Sequence, residues 1–345
     1  MKKFIFLVLF IFSLFSCEKT FIGEDEVNTA ENNFELLWND FNKHYALFGV
    51  KEISWNDLYN EYRPQITSQT TNDELWQIFS SLLERLNDGH VVIRDRENNR
   101  FFESGSSHIN QTIEEFSLDL INTKYQDYYV NTNDPGLSYG KIKGKEIGYI
   151  HMYNVEGDNP AIIDDVISEL QDYDAIIVDV RNNQGGDDAY AHRIAAAFAD
   201  GEHFIYTVQT RNGIGYNDFD STKKWFTKPV GNYQYTKPVV LLTDSFTTSG
   251  AEILTLNMKA FQHVIHIGDT TSGDFSDQSP ERFLPNGWSY KYSSQLYLLP
   301  NSQSLEGIGI APDIYIKNTI QNIQNETDLV LENAINYLFE TYGIN

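Results

Sequence analysis

Between residues 146 and 261, short apolar runs alternate with segments in which apolar residues recur at helical spacing. The run 239–242 is Val-Val-Leu-Leu, a continuous apolar stretch that is typical of a strand buried on both faces. A similar run at 175–180 also precedes a helical pattern. This alternation predicts an α/β layer whose parallel strands are joined by right-handed crossovers.

Ser249 lies where the chain changes from the apolar run 239–242 to a helical pattern. A serine at this position is commonly an N-cap, whose side-chain oxygen accepts a backbone N–H. It could instead be a nucleophile, because the free N–H groups of the first helical turn can stabilise an oxyanion. Gly250 favours the nucleophile, since a glycine lets a substrate carbonyl approach the backbone closely.

Gly185 and Gly186 follow the second buried strand, 175–180. In open α/β sheets ligands bind beyond the carboxyl ends of the strands, where this loop and Ser249 are both expected. A phosphate is disfavoured, because Asp187 and Asp188 would repel it and no Gly-Lys-Ser/Thr follows. Glycine N–H groups that face a transient oxyanion fit the pattern better.

Two further candidates are His90, at a helix–strand junction, and Glu306, before a glycine-rich loop. A lone histidine is more often structural than catalytic, but junctions of this kind often carry site residues. His263 and His266 fall on a predicted strand and point to opposite faces, so they are poorly placed to share a metal ion. We predict no metal site and no cofactor.

The first residues have the pattern of an export signal. Lys2 and Lys3 precede an apolar run that is too short to span a bilayer comfortably. Cys17, the sole cysteine, follows a segment that resembles the lipobox of bacterial lipoproteins, and the alternative is an ordinary secreted protein. We predict a lipoprotein signal peptide at 1–17 and an acidic tether at 18–31. The net charge of -24 argues against nucleic-acid binding.

The remaining chain divides into three predicted parts. Residues 32–90 carry helical patterns, including a capping box at Thr71 and Glu74, and predict a helical domain. Residues 91–144 give weak secondary-structure signals and are interpreted as a small connecting module. Residues 145–345 form the predicted α/β domain, whose last part contains β-hairpins, one of them with an Asn286-Gly287 turn.

Four sets of segments together resemble the serine peptidase family of tail-specific (C-terminal-processing) and tricorn proteases. The resemblance implies a ClpP/crotonase-like α/β core behind a helical domain, and it implies that Ser249 is the nucleophile. The order and approximate spacing of the segments match the family across residues 34–316. The matching segments are 86–91, 178–186, 247–252 with 267–273, and 284–287 with 306–313.

The resemblance also identifies a branch of the family. The tail-specific branch has a lysine base where this chain has Asp274, whereas the tricorn branch has a histidine and a glutamate at the positions of His90 and Glu306. Tricorn also has a serine before its histidine, where this chain has Gly89. The implied triad is Ser249–His90–Glu306, and the implied oxyanion hole uses the N–H of Gly250 and that of Gly185 or Gly186.

We therefore expect an exported serine endopeptidase that is anchored through Cys17 to a membrane of the bacterial cell envelope. Its periplasmic face and the cell surface both remain possible. The expected substrates are peptides or proteins, cleaved through an acyl-enzyme intermediate. Two alternatives stay open: a catalytically inactive relative that binds peptides or other ligands, and an esterase that uses the same triad.

Overall fold

A computed structural model of the protein describes residues 27–105, 113–134 and 136–345. The predicted signal peptide, including Cys17, lies outside these residues. Within the described chain, no helix is both long enough and apolar enough to cross a membrane. The helices are α1 (Ala30–His44), α2 (Trp55–Tyr62), α3 (Asn72–Glu84), α4 (Ile162–Leu170), α5 (Asp188–Ala196), α6 (Gly250–Met258), α7 (Ile320–Gln324) and α8 (Leu329–Tyr342), with short helical turns at Arg63–Gln65, Ile113–Glu115, Leu118–Leu120 and Ile121–Tyr125.

The strands form three sheets. A seven-stranded sheet has the order β14-β10-β9-β6-β5-β4-β3, a four-stranded sheet β11-β12-β1-β2, and a three-stranded sheet β13-β7-β8. The strands are β1 (Val92–Asp95), β2 (Arg100–Glu103), β3 (Gln126–Asn131), β4 (Leu137–Ile142), β5 (Ile147–Met152), β6 (Ala175–Asp179), β7 (His203–Thr210), β8 (Lys223–Thr227), β9 (Val239–Thr243), β10 (Val264–Gly268), β11 (Arg282–Phe283), β12 (Ser289–Lys291), β13 (Gln295–Leu298) and β14 (Ile314–Tyr315).

The seven-stranded sheet confirms the predicted α/β layer. Strands β5, β6, β9, β10 and β14 run parallel. Successive side chains of β9 enter different cores: Val239 and Leu241 pack with α4, α5 and α6, whereas Val240 and Leu242 pack with α8. Because alternate residues point to opposite faces, a strand covered on both sides must be apolar at nearly every position.

The predicted capping box opens α3. The backbone N–H of Thr71 donates to Glu74 Oε2 at 2.8 Å, and the N–H of Glu74 donates to Thr71 Oγ1 at 3.3 Å. The apolar faces of α1, α2 and α3 form one core with residues of the β11–β12 hairpin and its turn, among them Trp288 and Tyr290. The helical part is therefore packed against the final hairpins.

The strands of the predicted connecting module at 91–144 belong to two different sheets. Strands β1 and β2 join β11 and β12 in the four-stranded sheet, whereas β3 and β4 extend the seven-stranded sheet. Strand backbones need hydrogen-bond partners, and these short strands find them in distant parts of the chain. The predicted hairpin at Asn286-Gly287 is present as β11 and β12, with Gly287 at a φ of 85°.

Candidate active site

His90 and Ser249 meet although they are 159 residues apart in sequence, with His90 Nε2 lying 3.0 Å from Ser249 Oγ. Ser249 stands between β9 and α6, and His90 precedes β1. Both residues are half-buried, so the pair remains accessible to a ligand. This distance is within the reach that a general base needs to take a hydroxyl proton.

The backbone of Ser249 is strained. It is the N-cap residue of α6 and has a φ of 53°, in a region that non-glycine residues rarely adopt. The N-cap residues Ser54 and Thr71 have ordinary negative φ values of -83° and -74°. A residue in such a conformation costs about 1–3 kcal/mol and persists only where its surroundings hold it. Ser249 thus occupies the cap position while its Oγ lies against His90.

Glu252 holds this strained turn. Its buried carboxylate accepts hydrogen bonds from the backbone N–H groups of Ser249 (3.1 Å), Gly273 (2.8 Å) and Asp274 (2.8 Å), and from Thr271 Oγ1 (2.5 Å). Burial, followed by the charge of Asp274, raises the pKa of Glu252 to about 8, and these hydrogen bonds oppose that rise. Sequence reasoning gave Glu252 no role. Its fixed place three residues after Ser249 was the available signal.

The glycine loop lies directly against Ser249. A Cβ atom on Gly185, whose φ is 84°, would stand 2.8 Å from Ser249 Cβ, so this position requires a glycine. The N–H of Gly185 already donates to Asn183 Oδ1 at 2.9 Å. No such bond within the described chain engages the N–H groups of Gly186 and Gly250. Of the predicted oxyanion donors, Gly186 and Gly250 are therefore the free ones.

The acid of a serine–histidine–acid triad ordinarily accepts a hydrogen bond from the imidazole, but Glu306 and His90 form no such bond. Glu306 Oε1 instead lies 2.8 Å from Lys51 Nζ, and Oε2 accepts the backbone N–H of Phe275 at 2.8 Å. His90 Nδ1 is buried and has no partner within the residues that the structure describes. Lys51, from the loop after α1, satisfies the carboxylate that the imidazole was expected to contact. Sequence reasoning missed this lysine.

Glu306 is one member of an acidic cluster, which we define as Asp88, Asp274 and Glu306. Carboxylate oxygens of the three lie within 4.8 Å of one another. Burial, and next the charge of Asp88, raises the pKa of Glu306 well above its usual range, while Lys51 acts in the opposite direction. Asp88 Oδ1 accepts the backbone N–H of His90 at 2.9 Å. The acidic cluster is thus attached to His90 through its backbone.

Asp274 stands where the tail-specific branch has its lysine. Its Oδ2 accepts hydrogen bonds from Thr248 Oγ1 at 2.6 Å and Ser272 Oγ at 3.0 Å. A Cβ atom on Gly89 would lie 3.1 Å from Asp274 Oδ1. A serine at position 89, as in tricorn, would therefore contact Asp274. In this chain the carboxylate of Asp274 lies beside Gly89 instead.

Carboxylates outside the acidic cluster also act on His90. Burial raises the pKa of Asp188 to about 6 and that of Asp277 above its usual value, and the charge of His90 lowers both. The same holds for Glu103. Each of these carboxylates therefore lies close enough to His90 for the two charges to interact.

The sequence matches two family models. Residues 146–316 match the model of peptidase family S41. Residues 27–84, which contain α1 to α3, match the model of the tricorn protease C1 domain. The first match includes Ser249 and Glu306, whereas His90 lies between the two matched regions.

Individual relatives are similar over different lengths. The carboxyl-terminal-processing protease of Picosynechococcus is 28% identical over 206 residues, which are 58% of this chain and 47% of that protein. The processing protease CtpB of Bacillus subtilis is 26% identical over 179 residues, 51% of this chain and 35% of that protein. The chain therefore spans half or less of the length of these curated relatives.

A solved structure matches along nearly its whole length. The crystal structure of a peptidase from Parabacteroides merdae has a TM-score of 0.79 and 26% identity, and the match covers 90% of this chain and 97% of that one. It therefore includes the helical part as well as the α/β sheet. Residues 146–316 of the present chain, just under half of its length, are therefore similar to peptidase family S41, a family of serine peptidases.

Proposed function

We propose that this protein is a membrane-anchored serine endopeptidase in which Ser249 is the nucleophile and His90 is the general base. The observation that carries the proposal is the 3.0 Å distance between His90 Nε2 and Ser249 Oγ. A serine hydroxyl is weakly nucleophilic until a neighbouring base takes its proton. Histidine is the side chain that ordinarily changes its charge near neutral pH, so it suits this task.

The reaction would proceed in two halves. Ser249 Oγ attacks the peptide carbonyl while His90 takes its proton, and the N–H groups of Gly186 and Gly250 bind the oxyanion. His90 then returns the proton to the leaving amine, and an acyl-enzyme remains on Ser249. In the second half His90 takes a proton from water as the water attacks the ester, and it returns that proton to Ser249 Oγ when the ester bond breaks and the acid product leaves.

Glu306 would act on His90 through the acidic cluster. Its carboxylate lies close to those of Asp88 and Asp274, and Asp88 accepts the backbone N–H of His90. Negative charge at this distance stabilises the imidazolium that forms when Ser249 loses its proton. In this form the Ser249–His90–Glu306 triad requires no direct hydrogen bond between Glu306 and His90.

The test of the proposal is labelling with a fluorophosphonate, which reacts with activated serines. We expect the wild type to carry the adduct on Ser249, and Ser249→Ala to remain unlabelled and to lose peptide hydrolysis. Ser68→Ala, which removes an exposed serine far along the chain, is the matched control and should react normally. Full hydrolysis by Ser249→Ala would refute the assignment. Labelling combined with hydrolysis of esters alone would point to an esterase.

The membrane anchor is proposed from the sequence, on Lys2 and Lys3, the short apolar run and the sole cysteine. Lipid on Cys17 would hold the mature chain at the cell envelope. We expect Cys17→Ser to move the protein into the soluble fraction of cells, while Ser16→Ala leaves it with the membrane. Membrane retention of Cys17→Ser, with no lipid on residue 17 by mass spectrometry, would refute the anchor.

A further inference from the structure

A cavity of about 300 Å³ opens beside the nucleophile, a size at the lower end of the range for ligand pockets. We name it the Glu103 pocket. A wider cleft of about 870 Å³, between α1 and the β11–β12 hairpin, includes neither His90 nor Ser249. The Glu103 pocket is lined by Glu103, Gln184, Ser245, Phe246, Thr248 and Ser272.

The lining of the Glu103 pocket contains one ionisable side chain and one large apolar side chain. Thr248 directly precedes Ser249, so the pocket adjoins the point of attack. Phe246 is buried, whereas Gln184 and Ser272 are exposed. A ligand inside would therefore meet an aromatic wall, several neutral polar groups and a single carboxylate.

The carboxylate of Glu103 has no partner within the described chain: it accepts no hydrogen bond and takes part in no ion pair. Arg94 lies near enough for its charge to lower the pKa of Glu103, but its guanidinium stands over the ring of Phe101, 4.9 Å from the centroid. This half-buried carboxylate, which has no ion pair within the described chain, is suited to bind a cation.

The surroundings of Glu103 strengthen the preference of the pocket for a cation. Burial, and then the charge of Asp274, raises the pKa of Glu103. Asp274 directs one oxygen to the hydroxyls of Thr248 and Ser272, at the edge of the same pocket. An incoming ammonium or guanidinium would therefore meet two negative charges, whereas an acidic side chain would be repelled by both.

We propose that the Glu103 pocket receives a lysine or arginine side chain of the substrate, at a position adjacent to the scissile bond. This inference rests on the proposed peptidase function and specifies its substrate class. The aliphatic part of the side chain would pack against Phe246 while its charged end binds Glu103. Long cationic side chains commonly bury their methylene groups in this way.

The experiment compares peptides that differ only at the residue beside the scissile bond, which carries lysine, arginine, norleucine, glutamine or glutamate. For the wild type we expect the highest kcat/KM with lysine or arginine. Glu103→Gln should reduce that advantage by about 10- to 100-fold, because hydrogen bonds between charged groups are the strong ones. The norleucine peptide should change by no more than about twofold, since its contacts with Phe246 remain.

Two further variants sharpen the result. Glu103→Lys should cleave the glutamate peptide better than the wild type does, because the charge in the pocket is reversed. Glu202→Gln removes an equal charge from an exposed position and should leave the preference unchanged, which controls for the strongly acidic chain as a whole. Mass spectrometry of a digested protein mixture should find lysine or arginine beside the cleaved bonds.

The outcomes separate the two proposals. Fluorophosphonate should label Ser249 in both the wild type and Glu103→Gln, since the His90–Ser249 pair is present in both proteins. A wild type that is labelled but shows no cationic preference, or cleaves none of the peptides, overturns the pocket assignment and leaves the nucleophile in place. A wild type that is not labelled overturns the proposed peptidase itself. Retention of the lysine preference by Glu103→Gln also overturns the pocket assignment.

Discussion

Two buried polar regions of this molecule are built in opposite ways. In the first, which we name the Arg181 network, the guanidinium of Arg181 donates to Asp179 at 2.6–3.1 Å and to Asp328 at 2.8 Å. All three residues are almost inaccessible to solvent. In the second, the acidic cluster beside His90, Lys51 forms an ion pair with Glu306.

We infer from this difference that the Arg181 network contributes to stability, whereas the acidic cluster contributes to reactivity. In the Arg181 network each carboxylate bonds the same rigid guanidinium, so the ionised forms compensate one another. In the acidic cluster Lys51 forms an ion pair with Glu306 alone, and neither Asp88 nor Asp274 has an ion pair within the described chain. Such incomplete compensation leaves negative charge available for an imidazolium formed during a reaction.

The largest expected effect concerns His90. His90→Ala should lower kcat by roughly 10⁴-fold or more, because the base that activates the nucleophile is lost. Its thermal unfolding midpoint should stay close to that of the wild type, since the side chain is half-buried and, within the described chain, forms a hydrogen bond with Ser249 alone. Steady-state kinetics measure kcat, and thermal unfolding measures the midpoint. Near-normal kcat would place the base elsewhere, with Lys259 and the other histidines as the next residues to test.

The second-largest effect is a loss of stability rather than of activity, and it concerns the Arg181 network. Arg181→Met leaves Asp179 and Asp328 buried without their cation, and removing one partner of a buried pair costs roughly 3–5 kcal/mol in the free energy of unfolding. Urea unfolding measures this. Arg96→Met, which breaks an exposed pair with Glu281, should cost less than about 1 kcal/mol. Equal losses in the two variants would contradict the comparison.

The third effect is a pH dependence of the free energy of unfolding, which we attribute to His151 beside the Arg181 network. Burial lowers the pKa of His151 to about 4, and the charge of Asp179 opposes that shift. The unfolded chain, with an ordinary pKa near 6.5, binds this proton first, so stability falls as pH drops from about 6.5 to about 4.

His151→Phe removes this proton and keeps a ring against Phe116, whose centroid lies 5.5 Å away. The free energy of unfolding of the variant, relative to that of the wild type, should be about 3 kcal/mol higher at pH 4 than at pH 7. Urea unfolding at several pH values gives both curves. Parallel curves for the two proteins would contradict the assignment of a neutral buried His151.

The smallest effect concerns Glu306. Glu306→Gln keeps the shape and the acceptor for Phe275 but removes the charge, and we expect kcat to fall by about 10- to 100-fold, less than for His90→Ala. Steady-state kinetics of the two variants and of Glu202→Gln give the comparison. A loss as large as that of His90→Ala would mean that Glu306 contacts the imidazole during turnover. An unchanged kcat would remove Glu306 from the mechanism.

Much of the site could be predicted because its signals are local. The change from a buried strand to a helix identified the position of Ser249, and the glycine loop at 185–186 identified the surface that faces it. The partner of Glu306 could not be predicted in this way. Lys51 is 255 residues distant and lies in an ordinary loop, and no local pattern distinguishes it from other surface lysines.

The sequence by itself determined the elements: which segments are strands buried on both faces, which helix begins with a capping box, and which turn closes the last hairpin. These features depend on the period of side chains and on hydrogen bonds that span a few residues. Tertiary structure alone decided the partners: β1 and β2 joined strands from the end of the chain, and Lys51 took the carboxylate expected for His90. A buried strand edge needs hydrogen-bond partners, and a buried charge needs an opposite charge or a hydrogen bond. The completed fold supplies whichever complementary group lies nearest, and that group can come from any part of the chain.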